Sequence, residues 1–412
     1  MDEFKIMDAN LGAPKQLVNW SIELTDPSMA NEIVQPNRIQ SLDILRGAVM
    51  VLMAIDHVRV YAGVPAGGPD PAIFFTRWVT HFCAPCFVFF AGTSAFLYGK
   101  KIGNMKVLAE YLIWRGLMLV VLELTLIRFS WSFNFNYSEF ILAGVIWMIG
   151  WCMILLGSMV RMRPTVIGII GLVIIFAQQV FAVVPQIFPE SARPAFGNFW
   201  EFIYSSGLKA WSPFEVLYVI VPWIGVMMAG YGFGLIMTKE STRRDQLCYR
   251  IGLTAIALYI IAGTTLIFSR QAPENAPPFL FRLLNQQKYP ASQLFLMMTL
   301  GPAIALVPVV EKAKGWFAEV LKIFGKVPFF YYLLHIPLIH LTALLFYYIR
   351  DGVVHHEWFT YAPYAQVPQE MRWGLPLLYG AFLLDVIILY LACRWYVRYK
   401  FRNTDNPVLK YI

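Results

Sequence analysis

The sequence predicts an all-α protein: a polytopic membrane helix bundle of about ten transmembrane helices, with the N- and C-termini both in the cytoplasm. Three observations predict it. Hydrophobic residues make up 58% of the 412 residues and charged residues only 14%, with a mean hydropathy of +0.57. Soluble domains run near ~45–50% and ~25%. The apolar residues fall into runs long enough to cross a bilayer. Lysine and arginine alternate between the loops that join those runs. Together these exclude a soluble enzyme, a disordered tail and a nucleic-acid binder, even though the net charge is +8.

A membrane-spanning helix needs about 20 mostly apolar residues. Ten runs satisfy this, at approximately 40–61, 78–98, 107–127, 139–160, 164–185, 214–237, 250–268, 292–310, 327–349 and 374–397. The connections near 186–213, 269–291 and 350–373 are rich in Pro, Gly and aromatic residues and are too short for a soluble domain. The organisation is a cytoplasmic tail over 1–39, one membrane domain over 40–400 and a second cytoplasmic tail over 401–412. No secretory signal peptide is expected, because 1–39 is polar and mixed in charge.

Orientation follows from the loop cations. With the N-terminus inside, the cytoplasmic segments carry 21 Lys and Arg and the outer segments 9. Only an even number of spans gives this alternation with both ends inside. The five cysteines are odd in number and scattered, so no disulfide framework is implied.

A charge at bilayer depth costs at least ~2.5 kcal/mol, so it faces protein or water and marks function. The first helix is the densest in them, in Ser41-Leu-Asp43-Ile-Leu-Arg46-Gly47 and then Asp56-His57-Val-Arg59. At 100° per residue, Arg46 and His57 lie about 20° apart on the helix surface and about 16 Å apart along it. Asp43 sits about 60° from Arg46. One stripe therefore joins an inner carboxylate and cation to an outer imidazole. Asp56 lies about 80° off it, and Arg59 points elsewhere, towards outer headgroups. The plainer reading is a first-turn carboxylate and a snorkelling cation; it explains His57 poorly.

The second helix enters through Thr80-His81-Phe-Cys-Ala-Pro-Cys-Phe and ends near Gly92-Thr-Ser. It runs outside to inside, so His81 stands at the depth His57 has reached. The two imidazoles could share a site, or His81 could bond a backbone carbonyl. Cys83-x-x-Cys86 lacks a redox context, and Gly92-Thr-Ser reads as a small-residue helix contact. In the ninth helix, His335 and His340 are five residues apart, about 140° around the helix, which does not suit a metal pair. His335 is expected near the depth of Arg46, either completing an inner polar site or bonding a neighbour. Arg115, Glu123 and Asp385 are expected to be interhelical partners, and His355-His356-Glu357 a solvated loop. No metal cofactor is expected.

The stretch Ser41-Leu-Asp43-Ile-Leu-Arg46-Gly47 followed by His57 resembles the first helix of the transmembrane acyltransferase superfamily. Asp56-His-Val-Arg59, the segment 80–94 and Phe330-Tyr-Tyr-Leu-Leu-His335-Ile336 resemble bacterial membrane proteins related to heparan-α-glucosaminide N-acetyltransferase. The resemblance covers most of the chain. It implies transfer of an acetyl group from cytoplasmic acetyl-CoA (or another acyl-CoA) to a sugar, or another hydroxyl or amine acceptor, on the far side of a bacterial inner membrane. On that analogy His57 is the catalytic imidazole, with His81 and Asp56 as candidates beside it, while Asp43, Arg46 and His335 place the donor. One position departs from the pattern: Pro71 stands where the lysosomal enzyme has its catalytic histidine, so His57 or His81 must take the role. The partners are then acyl-CoA, a sugar-like acceptor and the lipid bilayer, with no nucleic acid and with homo-oligomerisation left open. The rival class is a small-molecule or proton-coupled transporter using the same Asp, Arg and His residues.

Overall fold

Each of the ten apolar runs forms helix in a computed structural model of the chain, which describes residues 39–67, 70–204, 213–271, 274–403 and 406. The expected N-terminal tail therefore lies outside the described residues, as does most of the C-terminal one. The helices in order are α1 (Gln40–Tyr61), α2 (Pro71–Ile102), α3 (Met105–Leu122), α4 (Arg128–Ser132), α5 (Val145–Met159), α6 (Pro164–Phe176), α7 (Val180–Val183), α8 (Arg193–Trp200), α9 (Trp223–Met237), α10 (Ser241–Ser269), α11 (Phe279–Leu284), α12 (Gln293–Glu311), α13 (Trp316–Lys326), α14 (Pro328–Asp351) and α15 (Leu375–Arg402). Among the described residues, α2, α10, α12, α14 and α15 are long and apolar enough to cross a membrane by length and composition. A sixth span is counted if α6 and the bent segment through Ile187 form one.

Local chemistry sets the ends. Asp70 caps α2 by accepting from the amides of Ala72 and Ile73 at 2.7 and 3.2 Å, and Pro71 takes the first helical position, where no amide is needed. The helix thus starts seven residues before the expected 78. Asn104 caps α3 in the same way. Between α3 and α4 the chain widens into a π-turn, Glu123–Ile127. There the buried Glu123 accepts from the Ile146 amide at 3.1 Å and so satisfies the start of α5. A glutamate that sequence reading made an interhelical partner is one.

Two expected spans are shortened by strand. Residues Ile141–Ala143 (β1) and Phe214–Val216 (β2) pair in parallel, so α5 begins at Val145 and α9 only at Trp223. Neither pairing is legible locally, because the partners are some seventy residues apart and each is three residues long. A third departure is α13. The segment between α12 and α14 was expected to be a plain cytoplasmic loop. It is instead an amphipathic helix that buries Ala318 and Leu321 on Ile44 of α1 and exposes Trp316 and Phe317.

Close packing relies on glycine where helix backbones touch. A Cβ at Gly92 of α2 would collide with the Met227 carbonyl of α9, and one at Gly230 of α9 with the Phe89 carbonyl. Thr93 donates to the Gly230 carbonyl across the same contact at 2.9 Å, as the small-residue reading of Gly92-Thr-Ser expected. Gly47 and Gly325 play the same part between α1 and α13. All five cysteines are free and buried. Asp385 of α15 accepts from Thr342 of α14 at 2.7 Å, and Arg115 lies over the Phe329 ring, 5.7 Å from its centroid. Both are the interhelical contacts their positions implied.

Candidate active site

His57 is in the last turns of α1, and its partner comes from α14. The His57 Nδ1 is 2.8 Å from His335 Nε2, with the rings stacked 4.8 Å apart. The other nitrogen of His335, Nδ1, sits 2.7 Å from the Tyr332 carbonyl. A carbonyl only accepts, so His335 Nδ1 carries its proton. His335 Nε2 is then a lone pair, and it accepts from His57 Nδ1–H. The chain of bonds fixes the tautomer of His57 and leaves Nε2 as its basic, nucleophilic nitrogen. No described residue occupies that nitrogen, and His57 keeps partial access to solvent. The indole of Trp131 meets the ring edge-on at 4.9 Å. His335 is wholly buried.

This placement corrects the expected depth of His335. Sequence reading put it level with Arg46, since each lies about seven residues into its helix. In the structure, Tyr331 donates to the Met50 carbonyl, His335 meets His57, and His340 stacks on Tyr61. Residue 328 is therefore level with about residue 49. The cause is α13, which fills the layer beside the first turns of α1 and starts α14 about two turns deeper.

Asp56 does not reach His57. It accepts from Arg59 Nε at 2.9 Å, and Arg59 Nη1 donates to the Val64 carbonyl at 2.7 Å. Arg59 is thus buried and ties the end of α1 to its following turn, in place of the expected headgroup contact. His81 is buried in α2 with Phe295 as its ring neighbour at 5.5 Å, and it does not touch His57. Its Nδ1 makes no hydrogen bond of good geometry. What the two histidines share is a neighbour that sequence reading counted only as a loop charge, Lys288.

Lys288 lies between α11 and α12. Its ammonium is over the rings of Tyr289 and Tyr218, 5.2 and 5.9 Å from their centroids, and its charge acts on Asp56, His57 and His81 alike. Burial alone would favour the neutral amine, yet the phenols of Tyr218 and Tyr289 and the Asp56 carboxylate hold its pKa above the ordinary lysine value. Lys288 is therefore a fixed cation whose charge reaches the His57 region. Only the aromatic frame around residue 288 would have signalled it, and half of that frame, the buried Tyr218, comes from a distant segment.

At the opposite end of α1, Arg46 Nη2 donates to the Phe90 carbonyl at 2.8 Å and to Ser94 Oγ. Asp43 is buried beside the Gly325 backbone. Arg46 thus ties α1 to α2, while Lys100, Lys101 and Lys106 stand exposed at the same end. His340 does not belong to a site: it stacks on Phe133 at 4.0 Å and faces the Ser130 carbonyl. Among the described residues no cluster of His, Cys, Asp or Glu could hold a metal ion.

The catalytic-region model of heparan-alpha-glucosaminide N-acetyltransferase matches residues 38–282. The chain belongs to this family of membrane acetyltransferases. The match takes in the whole of α1 with Asp43, Arg46, Asp56 and His57, and α2 with His81, but ends before Lys288 and His335. The two groups that most shape the His57 environment thus come from outside the matched region. No curated protein matches the chain closely enough to stand beside this family.

Proposed function

We propose that this family member takes an acetyl group from acetyl-CoA at the Arg46 end of α1 and delivers it, through His57, to a hydroxyl or amine acceptor at the other end. The observation that carries the reading is the His57 geometry: its Nδ1–H is held by His335, and its Nε2 is open. In the nucleophilic route, Nε2 attacks the thioester carbonyl, the C–S bond breaks and coenzyme A leaves as thiolate. The acceptor oxygen or nitrogen then forms its bond to the acetyl carbon as the N–C bond breaks. The acceptor's proton ends on the freed imidazole. In this reading the Lys288 charge would stabilise the oxyanion that develops in both steps. Arg46 and the exposed lysines at that end would meet the phosphates of the donor, with Asp43 helping to orient it.

Trapping tests the core of this reading. Purified protein incubated with acetyl-CoA labelled in the acetyl group, then quenched and digested, should yield label on His57 or turn over to product when an acceptor is present. Neither label nor transfer from any acceptor would overturn it and move the transporter reading ahead. For the inner end, Arg46→Ala should weaken acetyl-CoA binding more than acceptor binding, and Arg46→Lys should recover only part of it, since a point charge lacks the planar fork. Unchanged donor affinity in a binding titration would leave Arg46 with its structural role alone.

The orientation is part of the proposal. Both termini are assigned to the cytoplasm from the loop cations, so a reporter fused after Ile412 should be active inside the cell. Activity only outside would invert the path of transfer.

A further inference from the structure

Two cavities flank the His81 end of the protein, and they meet. The first, of about 1010 Å³, sets polar and cationic groups among apolar walls that include Phe74, Trp78 and Phe281. Arg77, Arg270 and Arg282 line it together with His81 and six side-chain amides, and among the described residues no Asp or Glu is in its walls. The side chains of Arg77 and Arg270 make no hydrogen bond or ion pair with another described residue. Gln287, next in sequence to Lys288, is in the wall. The second cavity, of about 1090 Å³, is an apolar groove between α6 and α9 on one side and α10 and α12 on the other. It runs from Ile304 to Gln293 along α12, about 16 Å of helix. Its flanks carry Ile169, Leu172, Phe176 and Leu258, all large apolar residues on the outer surface of the bundle.

Gln293 lines both cavities. It bonds Gln179 at 2.9 Å and donates to the Ile175 carbonyl at 3.2 Å. It does so where the helix breaks after Phe176 and turns by 63° into α7. The break lies at the point where the apolar groove reaches the arginine-lined pocket.

We propose that the acceptor is a membrane lipid with an anionic, hydroxyl-rich head. Its hydrocarbon chain lies in the groove from the side, and its phosphate sits on Arg77, Arg270 and Arg282 with the head group turned towards His81 and Lys288. The charge complementarity is one-sided: three cations and no carboxylate suit a phosphate, and amides suit the hydroxyls of a sugar. A soluble anionic sugar would use the pocket and leave the groove idle. This rests on the acyl-transfer reading for the word acceptor, but the binding does not depend on it.

The test uses full-length protein in phosphatidylcholine nanodiscs, with empty nanodiscs subtracted. Dodecyl phosphate supplies chain and charge, glucose 1-phosphate supplies charge and hydroxyls without a chain, and dodecyl glucoside supplies chain and hydroxyls without charge. Dodecyl phosphate should bind at least about tenfold more tightly than either of the others. Arg77→Ala with Arg270→Ala should weaken it about tenfold or more without lowering folded yield, because neither side chain holds the fold together. Thr254→Trp, which fills the groove from an exposed position on α10, should weaken dodecyl phosphate and leave glucose 1-phosphate unchanged. Equal binding of glucose 1-phosphate, unaffected by Thr254→Trp, would overturn the lipid assignment in favour of a soluble anionic sugar. Binding of none of the probes would overturn the site altogether. Acetyl-CoA titration of the same samples separates the two ideas: lost donor binding sinks the transfer reading, and these affinities do not depend on it.

Discussion

His57→Asn should lose about 10²–10⁴ of acyl transfer, the usual share of a positioned acid–base or nucleophilic imidazole, while folded yield and acetyl-CoA binding stay near wild type. The choice of asparagine matters. Its amide N–H can still donate to His335 Nε2, so the buried acceptor keeps a partner and the contact between α1 and α14 survives. His57 also borders accessible surface, which limits the packing lost. His81→Asn is the control. His81 has no contact with His57 and stands in the wall of the arginine-lined pocket, so its loss should raise the acceptor concentration needed for half-maximal rate and leave acetylation of His57 intact. The measurement is transfer in proteoliposomes alongside single-turnover labelling. If His57→Asn transfers normally and His81→Asn does not, the chemistry belongs to His81, and the relay described above is structural.

Lys288 complicates one reading of such data and simplifies another. It stays charged across any pH at which the protein is assayed, because its pKa is held above that of an ordinary lysine. A rise in rate with pH near neutrality therefore does not report loss of a proton from this amine. Replacing Lys288 by Met would remove a cation felt by both His57 and His81.

What the sequence revealed and what it withheld divide along a physical line. Apolar runs announce helices because the bilayer requires about 20 apolar residues whatever the tertiary structure, and all ten were legible. The stripe of Asp43, Arg46 and His57 was legible too, since helical angle is a local property. Depth between helices was not. It depends on what fills the layer beneath, and here α13 displaced α14 by about two turns and carried His335 from Arg46 to His57. Partners across a turn were equally hidden: Arg59 bends back to Asp56 and the Val64 carbonyl instead of leaving the bundle. Lys288 looked like one outer charge among nine because its aromatic frame comes from Tyr218, seventy residues away, and from its neighbour Tyr289.

The sharpest test of the site as a relay is therefore His335, a positioning residue that touches neither donor nor acceptor. His335→Phe keeps a ring in a fully buried, stacked position, but it removes the acceptor for His57 Nδ1–H and leaves that donor unsatisfied. The proton on His57 is then free to move to Nε2, the nitrogen that must be bare for attack. In hydrolase triads, losing the correct tautomer costs about 10⁴ in kcat with the geometry otherwise intact. A neutral imidazole acceptor gives up the tautomer bias but no ionic stabilisation, so a loss of about tenfold to a hundredfold is expected here. It should fall on kcat, with donor affinity and acceptor KM little changed. His335→Gln offers an amide oxygen in place of the lone pair and should recover part of the rate. A purely structural role predicts a different pattern: lower yield for both variants and an unshifted pH profile for whatever folds. A relay predicts normal yield for His335→Phe and a displaced inflection in its pH–rate curve, because the basicity of His57 depends on the partner that holds its other nitrogen. Equal rates and profiles for wild type and His335→Phe would reduce the 2.8 Å contact to packing and leave His57 to act alone.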